Sequence, residues 1–289
     1  MEARVRWPRH GRPDAHNRRV TRRPVPPLQP QWVIVDGLPV FHRVCTDAGP
    51  SAGAIVHVHG FGISGTYLEP TAALLAPRHR TYVPDLPGMG RSMRPPRPLD
   101  LPGLARALMS YCDAIGVGRA TLVGNSLGCP IIVEVATTFP DRIEHAVLVS
   151  PAGGPNNQPI TRALRQMAID GFREPMSMVP IAVRDYLRFG VLSSVSLFKA
   201  MNRYPTLERL ANMVMPTLVI AGDRDPLVDV DRVHVFAGLP HVEAVKVHGA
   251  HALNYSEPEL IASLIEAHLT GRPLATSTDV SGPIEVLEI

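Results

Sequence analysis

Leu122-Val123-Gly124-Asn125-Ser126-Leu127-Gly128 decides the fold. The run that leads into it, Ala120-Thr121-Leu122-Val123, is short, apolar and partly β-branched, as a buried strand is. The residues that follow, 127–138, read as a helix. The stretch therefore joins strand to helix through G-x-S-x-G. That turn is so sharp that the serine takes strained backbone angles, and the glycines let strand and helix approach closely. The geometry presents the Ser126 hydroxyl at the carboxyl edge of a sheet and leaves the Leu127 N–H free at a helix N-terminus.

Working outward, the chain alternates. Strands are expected at 32–35 and 40–44, around an Asp36-Gly37 hairpin turn, and at 54–58, 81–84, 120–123, 143–149, 217–220 and 242–247. Helices are expected at about 66–76, 101–115, 127–138, 229–237 and 257–269. Short continuous apolar strands separated by helices imply an α/β fold with a mostly parallel sheet covered on both faces. Residues 151–213 carry no strand alternation and read as helical, with Leu164, Met167, Ala168, Ile169 and Phe172 on one side. An all-helical insertion at that point suits a lid, and Met167, Met176, Met178, Met201 and Met213 would give it an adaptable apolar underside. Residues 1–30 read as an Arg/Pro-rich disordered leader and 271–289 as a flexible tail.

A serine hydroxyl needs a base. Of the 12 histidines, His251, which starts the loop into the last helix, is the expected base, ahead of His248 at the strand end. The loop Gly222-Asp223-Arg224-Asp225-Pro226 offers two aspartates. Asp225 lies deeper and is stiffened by Pro226, so it is the expected partner of the histidine Nδ1–H, and Asp223 is read as a turn or Arg partner. The second oxyanion donor, beside Leu127 N–H, is the Phe61 N–H in the Gly-rich turn His59-Gly60-Phe61-Gly62. His59 is read as a structural hydrogen-bonder in that turn and His57 as a core residue.

Composition narrows the function classes. The chain has 289 residues, 45% hydrophobic and 19% charged, enough for one large domain with a core. The formal net charge of +3 is uneven: eight Arg within residues 1–23 give that segment +6 and leave −3 for the rest. The basic character thus belongs to a leader and no nucleic-acid face is expected. Three cysteines at irregular spacing make no disulfide framework. No apolar stretch reaches the length of a membrane span, and no secretory h-region follows the leading arginines, so a cytoplasmic protein is expected. His57-x-His59 and His248-x-x-His251 lack the spacing and acidic partner of metal motifs, so neither a metal nor a cofactor is expected. Oligomeric state stays open. A non-enzymatic scaffold is the competing class, which a serine-directed fluorophosphonate probe separates from an enzyme.

Five motifs, in this order, carry a resemblance: His59-Gly60-Phe61-Gly62; Pro84-Asp85-Leu86-Pro87-Gly88-Met89-Gly90-Arg91-Ser92; the Gly124–Gly128 turn; Gly222-Asp223-Arg224-Asp225-Pro226; and Gly249-Ala250-His251. From Trp32 to Thr270 the chain resembles the α/β-hydrolase superfamily. The resemblance implies an eight-stranded, mostly parallel sheet with helices on both faces, a core at 31–150 and 214–270, and a helical cap at 151–213. It implies a structural role for the Asp85 segment. The Gly-Asn-Ser-x-Gly turn is similar to that of hydrolases that cleave carbon–carbon bonds in aromatic ring-fission products and of related esterases. Ala252-Leu253, however, follows His251 where that subgroup carries Trp. Members with an Asp nucleophile differ at Ser126, and serine members with perhydrolase or haloperoxidase activity share the same triad. The expectation is a carboxylic ester hydrolase acting on a moderately hydrophobic small molecule through Ser126, Asp225 and His251. Arg162, Arg165, Arg184 and Arg188 are read as solvated charges on the insertion, with an acidic substrate as the competing reading.

Overall fold

The computed structural model describes residues 26–152, 160–228, 233, 237–274 and 284–287. Most of the expected leader, most of the helix expected at 229–237 and much of the expected tail lie outside these residues.

The described elements run β1 (Gln29–Val35), β2 (Leu38–Cys45), β3 (Ala54–Val58), α1 (Glu69–Leu75), β4 (Arg80–Pro84), α2 (Leu101–Ala114), β5 (Ala120–Asn125), α3 (Gly128–Thr138) and β6 (Ile143–Val149). Four helices follow: α4 (Ile160–Arg173), α5 (Val179–Phe189), α6 (Val191–Arg203) and α7 (Thr206–Leu210). The chain then re-enters the sheet with β7 (Thr217–Gly222) and β8 (Val242–Val247), and continues through α8 (Leu253–Ser256), α9 (Pro258–Leu269) and β9 (Ile284–Val286).

All nine strands form one sheet in the order β1-β2-β4-β3-β5-β6-β7-β8-β9. From β4 to β8 the pairing is parallel, and β1, β2 and β9 close the two edges antiparallel. The sheet has one strand more than expected. The ninth comes from the segment read as a tail, where Val286 pairs with Val245 and Ile284 with Val247. The first strand also begins earlier than the leader boundary allowed, at Gln29. Pro30 is tolerated there because β1 is an edge strand and needs no donor on its outer side.

Alternate residues of each parallel strand feed two cores. Val56, Leu122, Leu148 and Val219 pack with α2 and α3 on one face. Ile55, Val123, Val147, Ile220 and Val245 pack with α9 on the other. Burial on both faces explains the continuous apolar runs of these strands. The strand order reverses between β3 and β5, and the crevice at such a switch point, beyond the carboxyl ends, is where this architecture binds ligands.

Gly128 sets how close α3 comes to the sheet. A Cβ there would overlap the Val58 carbonyl oxygen, a backbone atom that cannot step aside. Gly128→Ala is expected to destabilise the fold by about 3 kcal/mol, the upper range for overpacking a rigid core. A chemical-denaturation midpoint unchanged from wild type would contradict this packing argument.

Candidate active site

Ser126 has φ of +56°, a conformation rare for a residue with a side chain, and its N–H donates to the Val149 carbonyl. Such strain costs on the order of 1–3 kcal/mol and persists only where surrounding structure enforces it. The β5–α3 junction enforces it here. Leu127, at the cap position of α3, and Phe61, in the loop after β3, donate their N–H groups to no acceptor among the described residues.

Asp225 follows β7 and His251 follows β8, so both reach the same carboxyl edge as Ser126. Asp225 Oδ2 and His251 Nδ1 are 2.7 Å apart. The other carboxylate oxygen accepts the Leu227 and Val228 N–H groups. Both residues are buried. Burial alone would depress the His251 ring. The Asp225 charge and hydrogen bond, followed by the charges of Asp170 and Glu174, outweigh it and raise the ring to about 9. Burial pushes the Asp225 carboxyl the opposite way, but His251 and the Leu227 N–H hold it below its ordinary value.

The alternatives separate cleanly. Asp223 and His248 pair with each other at 3.0 Å on the exposed side of the same loops. His59 Nε2 accepts the Leu86 N–H at 2.8 Å, so its Nδ1 bears the proton and donates to the Gly60 carbonyl. His57 is fully buried with no partner for either ring nitrogen among the described residues, and burial pushes it down to about 3. Asp85 is enclosed by Arg43 and by the N–H groups of Gly65 and Arg91, a structural hub.

Ser126 and His251 share the wall of a cavity of about 190 Å³, together with Gly60, Phe61, Asn125 and residues of the α4–α6 insertion. Among the described residues no hydrogen bond joins the Ser126 hydroxyl to the His251 ring. In a site without substrate such bonds are often long and tighten only in the reacting complex. The wall is mostly apolar. Met167, Met178 and Met201 contribute to it as expected, whereas Met176 is exposed and Met213 lies in the core. The arginines of the insertion stay out. Arg184, for one, pairs with Asp185 and leans on Ser64 and Thr66.

Three features escaped the sequence reading. The first is a network around Asn125, whose carbonyl oxygen accepts from Tyr67 Oη (2.7 Å) while its amide donates to the Val149 and His251 carbonyls. Tyr67 Oη also accepts the Gly60 N–H at 2.8 Å. Four segments are thus tied to the residue beside the nucleophile, and burial keeps the Tyr67 phenol protonated to serve as donor. Asn125→Ala would take the acceptor from the Tyr67 hydroxyl and the side-chain donor from the His251 carbonyl, each at a cost of about 1–3 kcal/mol. We expect a lowered melting temperature and a fall in kcat of roughly 10–100-fold, the loss that follows when a positioning contact lets the base drift. Retention of both wild-type values would remove the network from the site.

The other two features are Asp170 on α4 and Glu174 just past its end. Asp170 Oδ1 accepts the His251 N–H (3.2 Å) and Glu174 Oε1 the Ala252 N–H (2.6 Å). The apolar residues expected to face inward from this helix do not all do so: Phe172 is 92% exposed and Leu164 59%. The inward stripe is Ala163, Met167, Asp170 and Glu174, spaced four, three and four residues apart.

Comparison with known proteins agrees with this architecture. An uncharacterized protein of Mycobacterium tuberculosis is 30% identical over 131 residues, which is 45% of this chain but only 38% of that protein. A 2-hydroxy-6-oxononadienedioate/2-hydroxy-6-oxononatrienedioate hydrolase of Cupriavidus pinatubonensis is 26% identical over 246 residues, 73% of this chain and 84% of that one. The structure of a carboxylesterase from Bacillus subtilis superposes with a TM-score of 0.71 at 20% identity, covering 85% of this chain and 93% of that one. The family model described as the alpha/beta hydrolase family matches residues 55–264, and the chain belongs to that family.

Proposed function

We propose that the protein is a serine hydrolase that cleaves a carboxylic ester of a moderately hydrophobic small molecule. The observation that carries this reading is the buried Asp225–His251 pair beside a strained Ser126 on the wall of one apolar cavity. Ser126 Oγ attacks the ester carbonyl while His251 Nε2 takes its proton, and the Phe61 and Leu127 N–H groups receive the oxyanion. Collapse of the tetrahedral intermediate expels the alcohol, which leaves with the proton from His251. Water, activated by the same histidine, then releases the acid. Residues 151–213 act as a cap whose underside selects the substrate.

A second reading, carbon–carbon bond hydrolysis, has support from the Gly-Asn-Ser turn and from the Cupriavidus relative. That relative's named substrates are dicarboxylates. The cavity wall here bears Asp170 and Glu174 and, among the described residues, no Arg or Lys. The ester reading is therefore preferred. It is tested by assaying purified protein against p-nitrophenyl esters of increasing acyl length, a ring-fission dienoate and peroxide-dependent bromination, with fluorophosphonate labelling of Ser126 alongside. Ester turnover above the other two activities is the expected result. Dienoate cleavage without ester turnover would install the second reading.

A further inference from the structure

The cavity is apolar apart from its catalytic end and one acidic stripe. Among the described residues of the wall, Asp170 and Glu174 are the acids, and the only residue able to carry a positive charge is His251. Arg173, the adjacent cation, is turned outward and donates to the Arg224 carbonyl. One oxygen of Glu174 is engaged by the Ala252 N–H. The other, Oε2, is buried and has no hydrogen-bond partner among the described residues. Asp170 is likewise held through one oxygen by the His251 N–H. Ala163, Met167 and Asp170 line the same side of the cavity, with Glu174 just past the end of α4.

A buried acceptor without a donor is an unmet requirement, and a ligand that brings the donor gains what the empty site lacks. A ligand that brings a further carboxylate meets like charge in a largely apolar cavity and is turned away. Burial raises both acids, Glu174 to about 7, so at mildly alkaline pH Glu174 is mostly the acceptor-only carboxylate.

We propose that Glu174, with Asp170 behind it, is the polar specificity determinant of this cavity: it receives a hydroxyl or ammonium donor on the substrate and excludes substrates that carry a carboxylate. The proposal deepens the ester-hydrolase reading and rests on it for the identity of the reaction, though not for the identity of the ligand.

The test compares kcat/KM at pH 8 for the p-nitrophenyl esters of hexanoic, 3-hydroxyhexanoic, 6-hydroxyhexanoic and 6-aminohexanoic acids and the half ester of adipic acid. Wild type is set against Glu174→Gln, which keeps an oxygen for the Ala252 N–H but carries an amide donor in place of the second oxygen. Wild type is expected to favour at least one donor-bearing ester over hexanoate by about 10-fold, and to disfavour the adipate half ester by about 100-fold. The variant should lose the first preference and relax the second by about 10-fold or more. A residue with a merely structural role would change all five rates together, and unchanged ratios overturn the proposal. If no ester is turned over, the ester reading fails by itself. Calorimetric binding of hexanamide, 6-aminohexanamide and adipic monoamide to Ser126→Ala protein then decides the selectivity. Tighter binding of the aminoamide and weaker binding of the acid support it, and equal binding overturns it.

Discussion

Ser126→Ala is expected to lower kcat for a p-nitrophenyl ester by about 10⁴–10⁶-fold, with KM little changed, because the described residues of the cavity wall include no other serine and no threonine or cysteine. The residual rate should still exceed that in water, since the amide donors and the cavity remain. The substitution removes one hydroxyl and leaves the Cβ, so the strain at φ +56° stays and the melting temperature should move little. That combination separates loss of chemistry from loss of fold. Ser150, whose hydroxyl lies against Asp225, supplies a comparison for the burst and not for the rate. It too has a positive φ, of 50°, at the end of a parallel strand, yet it is fully buried and is not part of the cavity wall. Ser150→Ala should keep the catalytic burst that Ser126→Ala abolishes. A drop below about 100-fold for Ser126→Ala would move the nucleophile elsewhere.

The elbow was legible because its requirements are local. A tight strand-to-helix turn needs small residues at fixed positions, and Gly124 and Gly128 declare it in five residues. The choice of Asp225 over Asp223 and of His251 over His248 was also local, since depth in a loop correlates with burial, and the structure pairs the two buried members with each other and the two exposed ones with each other. Asp170 and Glu174 were hidden for the opposite reason. A carboxylate on an amphipathic helix ordinarily marks the solvated face, and here two carboxylates stand among the inward residues while Phe172 points out. Only a tertiary contact, the His251–Ala252 backbone seated against α4, reverses that reading. The ninth strand was missed because three residues carry no measurable period. It exists by pairing with β8, far from it in sequence.

Asp225→Asn is expected to reduce kcat by about 10⁴-fold near neutral pH, the size seen when a triad aspartate is neutralised in a serine protease, and the pH profile distinguishes how. In the wild type the ring is raised to about 9, first by Asp225 against the opposing effect of burial and then by Asp170 and Glu174. The neutral base therefore accumulates only as pH rises, and kcat should climb along an acid limb with its midpoint near 9. Neutralising residue 225 removes the largest raising influence and lets burial act, so the ring's midpoint falls. Were charge the whole contribution, activity would recover at lower pH. An asparagine amide, however, can donate to Nδ1, which places the proton on Nε2, the atom that must accept from Ser126. The loss should therefore persist across the profile, and recovery to within 10-fold of wild type at any pH would contradict the tautomer argument. Stability carries a matching signature. The raised His251 contributes fully below its ordinary 6.5 and loses that contribution as pH climbs through about 9. The depressed Asp225 contributes above its ordinary 3.8 and loses that contribution as pH falls through its lower folded value. Thermal unfolding of wild type against Asp225→Asn should thus differ most between about pH 4 and 6.5 and converge toward pH 9 and above, the opposite direction from catalysis, which needs the proton gone.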